Sequence, residues 1–192
     1  MSLSLLLLLS STVLTFTLLN FESSEPYFNL SESYFEIRDI TLFFGTKDFF
    51  IITVITVLLL TLFKNKKINI IILYSSLWLI LVYYTKLLLA RDTIAHGGGF
   101  FQEINYGLLP SGHSAVYLFT SFILYTYLNT VIKNKKILII INTIIILGFI
   151  LLSILLVLNN YHYISDITAS LALFTFATII YKVGINKIIY KR

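Results

Sequence analysis

The chain is predicted to be an all-α, polytopic membrane bundle of about six transmembrane helices. Three observations carry that expectation. The first is apolar content: 58% of the 192 residues are hydrophobic and the mean hydropathy is +0.91, more apolar surface than a soluble domain of this size can enclose. The second is grouping. The apolar residues form long continuous runs, near the roughly 20 residues that a helix needs to cross the hydrocarbon core, and they do not alternate as barrel strands would. The third is charge: the basic residues fall in a few clusters between or after those runs.

Six segments follow in order: Leu3–Leu19, Phe49–Phe63, Ile68–Tyr84, Ser114–Ile132, Ile137–Leu158 and Tyr163–Tyr181. Their β-branched content is high, but a backbone in lipid must satisfy its own hydrogen bonds, which favours helix. Leu3–Leu19 reads either as a retained helix or as a cleaved signal segment. The retained helix is preferred, because neither a basic n-region nor a small-residue cleavage site is evident. Phe49–Phe63 is short for a span and either recruits Phe43 and Phe44 or tilts little. Residues 20–48 carry Glu22, Glu25, Glu32, Glu36, Asp39 and Asp48 and read as a solvated surface loop rather than as paired catalytic carboxylates. In residues 85–113 the run Gly97-Gly98-Gly99 lacks a nucleotide-loop pattern and reads as a hinge or turn.

Charge placement orients the spans. Lys64, Lys66 and Lys67, then Lys133, Lys135 and Lys136, then Lys182, Lys187, Lys191 and Arg192 make up most of the 14 basic residues, and none of the nine acidic residues lies among them. Such a pattern marks the cytoplasmic side. Threading the six spans from an inside N-terminus puts all three clusters inside, and residues 20–48, 85–113 and 159–162 outside. Tyr83 and Tyr84, Tyr125 and Tyr127, and Tyr161 and Tyr163 then fall at span ends, as an interfacial aromatic belt does. The net charge of +5 is thereby accounted for without a nucleic-acid partner. The lack of cysteine excludes disulfides, thiolate metal sites and thiol nucleophiles.

The candidate chemistry gathers outside. Lys86 and Arg91 follow the third span, Pro110-Ser111-Gly112-His113 opens the fourth, and His162 and Asp166 open the sixth. Ionisable groups at membrane helix mouths point to function. His162 and Asp166 share a helix face, so Asp166 can fix the imidazole tautomer and leave the other ring nitrogen as a nucleophile. Pro110 suits a helix start and Ser111 a cap. The N–H groups beyond them favour an anion. Lys86 and Arg91 add positive charge for a phosphoryl group, and His113 is placed to protonate a leaving alkoxide. A magnesium or zinc site would want more carboxylates or histidines. His96 reads as a loop residue.

These strings resemble the type 2 phosphatidic acid phosphatase (PAP2) superfamily, whose motifs are Lys-x6-Arg-Pro, Pro-Ser-Gly-His and Ser-Arg-x5-His-x3-Asp. The second is complete at Pro110–His113, and the end of the third matches at His162 and Asp166. The resemblance covers roughly Phe49 to Tyr181. It implies that His162 is the nucleophile of a phosphohistidine intermediate, Asp166 its orienter and His113 the general acid. It also implies that Lys86, Ser111 and Gly112 hold phosphate, and that no metal cofactor is needed. The chain departs from the pattern at two places: the first motif's Arg-Pro falls on Thr93-Ile94, with Arg91 two positions earlier, and the third motif's Ser-Arg falls on Leu155-Leu156. Sphingomyelin-synthase-like lipid phosphotransferases share the same core and a His-Tyr start to the last motif, as at His162-Tyr163.

The expected organisation is an N-terminal helix or signal segment with its outside loop over residues 1–48, a PAP2-like membrane catalytic domain over 49–181, and a basic cytoplasmic tail over 182–192. The expected activity is removal of phosphate from a lipid at the outer face of the cytoplasmic membrane. Phosphatidate, phosphatidylglycerophosphate, polyprenyl pyrophosphate and lipid A are the candidate substrates. The alternatives are a lipid head-group phosphotransferase and a non-catalytic protein of the same fold.

Overall fold

A computed structural model describes residues 41–61, 65–88, 110–158 and 161–185. Leu3–Leu19 and most of the acidic loop lie outside the described residues. Five helices follow in order: α1 (Lys47–Thr61), α2 (Lys66–Leu88), α3 (Gly112–Val131), α4 (Lys135–Leu158) and α5 (Ile164–Ile180), the last continued by a π-helical turn, Tyr181–Ile185. Among the described residues there is no strand, so the all-α class holds. Among the described residues, three helices are long and apolar enough to cross a membrane: Lys66–Thr85, Lys135–Leu158 and Ile164–Gly184. With 15 residues, α1 is shorter. It does not recruit Phe43 and Phe44, because the Thr46 hydroxyl accepts the Phe49 N–H at 3.3 Å and starts the helix there.

Short polar side chains start α2 and α4 in the same way. Asn65 accepts from the Ile68 N–H at 3.2 Å and Asn134 from the Lys136 N–H at 2.9 Å, each satisfying an N–H that has no partner within the helix. Hydroxyls inside the helices turn back onto their own backbone. Ser76 donates to Ile72 O, Thr126 to Phe122 O, Thr143 to Ile139 O, Ser153 to Phe149 O and Thr175 to Leu171 O. A hydroxyl satisfied this way can face lipid or a neighbouring helix without desolvation cost.

At the centre stands α3, which packs against α1, α2, α4 and α5. Phe119 and Ile123 of α3 meet Val57, Ile68, Ile71 and Ala177 in one apolar cluster, and Leu152, Leu156 and Ile167 form a second. The 6% of α4's span that is buried contrasts with 56% for α5, so α4 faces outward and α5 lies within. Tyr74 pairs with Tyr181 at 5.5 Å and Trp78 with Phe176 at 6.0 Å between ring centroids. Ascending α2 therefore means descending α5, and the two run antiparallel. The Tyr74 hydroxyl donates to Ala177 O at 2.6 Å. That carbonyl also receives the Tyr181 N–H, and the doubly used acceptor stands where the helix widens into its π turn.

Candidate active site

The N-termini of α3 and α5 meet at one end of the bundle. Ser111 caps α3: its φ and ψ of −64° and 118° are extended, and its Oγ accepts the Ser114 N–H at 3.3 Å. Its own N–H donates to the Asp166 carbonyl at 2.9 Å. The Ser170 hydroxyl closes the junction, 2.9 Å from both Ser111 O and Asp166 O. Ser111, Asp166 and Ser170 are all buried. Two strings far apart in sequence are thus fastened by backbone groups, and the positive ends of two helix dipoles point to the same place.

Within that frame, Asp166 Oδ2 lies 3.3 Å from His162 Nδ1 and accepts the Tyr163 N–H at 3.1 Å. The second contact is one half of a capping box, with the third helical residue reaching back to the cap. Both side chains of the His162–Asp166 pair are almost wholly enclosed, at 1% and 0% exposed. A carboxylate in that setting is tolerable only with partners, and the ring and the N–H supply them. With Nδ1 turned to the carboxylate, Nε2 is the nitrogen that carries the lone pair. The His113 and His162 rings stand 6.0 Å apart between centroids, inclined at 65°, so the two imidazoles meet edge to face at the same end of the bundle. The backbone of His162 hangs from α4: Leu156 O accepts the N–H groups of Tyr161 and His162 at 3.0 and 3.3 Å.

The structure thus brings together Ser111, Gly112, His113, His162 and Asp166. Lys86 stands in the last turn of α2. From the antiparallel Tyr74–Ala177 bond, its backbone lies about 18 Å beyond Tyr74 and Asp166 lies about 16 Å before Ala177, at ~1.5 Å rise per residue, so the two are level along the bundle. The Lys86 side chain, Arg91, His96 and Gly97–Gly99 lie outside the described residues. Among the described residues no three His, Cys, Asp or Glu side chains gather as a metal-ligand cluster. Leu156 is fully buried and Leu155 nearly so, so the position at which the third motif's arginine would fall is packed apolar core. Sequence reasoning missed Ser170, although its place one helical turn after Asp166, on the same face, is a readable signal. It also missed the turn before α1, treated below.

Residues 91–189 match the family model of the PAP2 superfamily. The chain belongs to the PAP2 superfamily. The matched stretch contains Pro110–His113, His162 and Asp166 and starts beyond α2. No curated protein and no solved structure matches the chain. Membership points to a phosphatase-type activity, and three of the described helices have the length and composition to cross a membrane.

Proposed function

We propose that this PAP2 protein is an integral membrane lipid phosphatase that works through a phosphohistidine at the outer face of the cytoplasmic membrane. The observation that carries the reading is the enclosed His162–Asp166 pair, facing His113 across 6.0 Å at the joined N-termini of α3 and α5. In the first step His162 Nε2 attacks phosphorus, an N–P bond forms, and the P–O bond to the lipid breaks as His113 gives its proton to the departing oxygen. Asp166 keeps the Nδ1 proton and stabilises the charge that develops on the ring. In the second step water attacks the phosphohistidine, His113 takes the water's proton, and inorganic phosphate leaves. Ser111, Gly112 and the N–H groups of the first turn of α3, with Lys86 and Arg91, hold the phosphoryl oxygens. The outward face follows from charge. Lys66 and Lys67 start α2, Lys133 to Lys136 join α3 to α4, and Lys182 follows α5, all at the end of the bundle away from the histidines. Basic ends favour the cytoplasm.

One observation favours a second reading. The buried Leu155 and Leu156 remove an arginine that phosphatases of the family use. A phosphotransferase would run the same first step and resolve the intermediate with a head-group hydroxyl in place of water. The test is phosphate release by purified protein from phosphatidate, phosphatidylglycerophosphate, polyprenyl pyrophosphate and lipid A, each with and without an alcohol acceptor. The phosphatase reading expects phosphate release without acceptor and an acid-labile phosphoenzyme that His162→Ala abolishes. Product formed only with acceptor overturns it in favour of the transferase. A phosphoenzyme that persists in His162→Ala removes both readings.

A further inference from the structure

The turn that precedes α1 lies against the site. Gly45 N–H donates to Leu42 O at 2.9 Å, Thr46 N–H to Phe43 O at 3.0 Å, and the Thr46 hydroxyl to the same carbonyl at 2.7 Å before capping α1. Two contacts tie this closed turn to the rest of the molecule. Leu42 packs on the cluster of Leu152, Leu156 and Ile167. Gly45 is buried, and a Cβ built on it would lie 2.9 Å from His113 Cβ, 2.9 Å from His113 O and 3.1 Å from His113 Cα. The glycine backbone is therefore pressed onto the backbone and Cβ of His113, the atoms from which its ring swings.

We infer that the turn Leu42–Thr46 is a wall of the active site and that Gly45 is a positioning residue for His113. The inference rests on the proton-donor role proposed for His113. It also gives one departure from the family pattern a structural setting. The family's arginine position is occupied by Leu156, and Leu156 forms part of the apolar seat into which Leu42 fits. The seat holds the turn, and the turn holds the base of the imidazole. Glycine is required because the atoms opposite it are main chain and Cβ, not the yielding tip of a side chain. Proton transfer needs the ring within hydrogen-bond reach of the departing oxygen, so a shift of a few tenths of an ångström at His113 Cβ reaches the chemistry.

The test compares Gly45→Ala and Leu42→Ala with the unmodified full chain in detergent, and uses Gly184→Ala, which meets nothing within 4 Å, as the neutral control. The first readout is the rate at which diethyl pyrocarbonate modifies His113, followed by mass spectrometry, with buried His162 as internal reference. The second is turnover of phenyl phosphate against p-nitrophenyl phosphate, a poor and a good leaving group. Both variants should speed modification of His113 several-fold with the His162 rate and the melting temperature little changed. They should lower phenyl phosphate turnover ~10- to 100-fold while sparing p-nitrophenyl phosphate, and Gly184→Ala should do neither. Unchanged His113 modification in both variants overturns the inference. If Gly45→Ala does not fold, Leu42→Ala decides, since it removes bulk without a clash. The acid role fails separately: if His113→Ala loses equal activity on both substrates while the modification rates respond as stated, His113 is not the acid and the wall still stands.

Discussion

Asp166 is a fully buried carboxylate whose Oδ2 serves two partners at once, the His162 ring and the Tyr163 N–H. Asparagine keeps the shape and removes the charge that steadies the imidazolium. Asp166→Asn should therefore fold, bind substrate and form phosphoenzyme ~10²- to 10⁴-fold more slowly, as rapid-quench labelling would measure. An equal rate would mean that the carboxylate only caps α5. Arg91 is the next residue to test. With Thr93 and Leu156 in the usual arginine places, the reading leaves the phosphoryl charge to Lys86 and Arg91. Arg91→Lys should lose most activity, because lysine cannot grip two oxygens at once. Leu156→Arg should not compensate, since it would bury a charge in the Leu152–Ile167 cluster and lift Leu42 from it. Initial rates of phosphate release check both, and a Leu156→Arg variant more active than the parent would contradict the packing argument. At this scale much was legible. Pro110–His113, His162 and Asp166 stand out as polar groups at apolar borders, and the cap formed by Ser111 follows from its residue type. Gly45 was not legible, because one glycine in an aromatic turn differs from its neighbours only in what lies opposite it in space; for Ser170 the shared face with Asp166 was legible, but not the Ser111 carbonyl that it also meets.

At the scale of the helices, one close approach between α3 and α4 can be tested on its own. Tyr117 of α3 donates to Ile145 O of α4 at 2.9 Å, and Gly148 lies so near that a Cβ there would overlap the hydroxyl. Gly148→Ala should break that bond and lower stability by ~1–3 kcal/mol, despite alanine's better helix propensity. The overlap is with the tip of one side chain, so Tyr117→Phe should relieve it. The double variant should be more stable than Gly148→Ala alone, and thermal unfolding of the four proteins gives the coupling. Additive effects would mean that α3 and α4 do not touch there. Helix positions were largely legible, since five of the six apolar segments coincide with described helices and the sixth lies outside the described residues. The beginning of α1 was legible to within two residues, since the polar run Gly45-Thr46-Lys47-Asp48 interrupts the apolar stretch, and the cap at Thr46 draws Lys47 and Asp48 into the helix. The enclosure of α3 against the exposure of α4 was partly legible: α3 carries more hydroxyl and amide side chains than α4, but hydropathy does not say which of its faces meets protein.

The described part of the molecule sets Lys66, Lys67, Lys133, Lys135, Lys136 and Lys182 at one end, and the histidine pair, with Lys47 and Lys86, at the other. The expected topology is checked by single cysteines in a chain that has none. Lys136→Cys and Ile164→Cys, both exposed in the structure, should react with an impermeant thiol reagent from opposite sides of sealed vesicles, the former from the cytoplasmic face. Labelling of both from one side would dismantle the proposed orientation. That the lysine clusters at the start of α2, between α3 and α4 and after α5 share one end was legible from charge and hydropathy together, whereas the fastening of α3 to α5 through Ser111, Asp166 and Ser170 depends on a close approach that no periodicity encodes.

The main chain of His162 hangs from one carbonyl in the last turn of α4, that of Leu156, and α4 is the least buried of the three long apolar helices described. Such a helix answers to the thickness of the bilayer, tilting when the hydrocarbon is thin and straightening when it is thick, and each adjustment is transmitted to His162. The acyl-chain length of the host membrane thereby becomes a variable of the reaction. Reconstituted in phosphatidylcholines of stepped chain length, the protein should show a turnover optimum at one thickness and a decline on either side. A flat profile would show that the enclosed His162–Asp166 pair is insulated from the tilt of its own support.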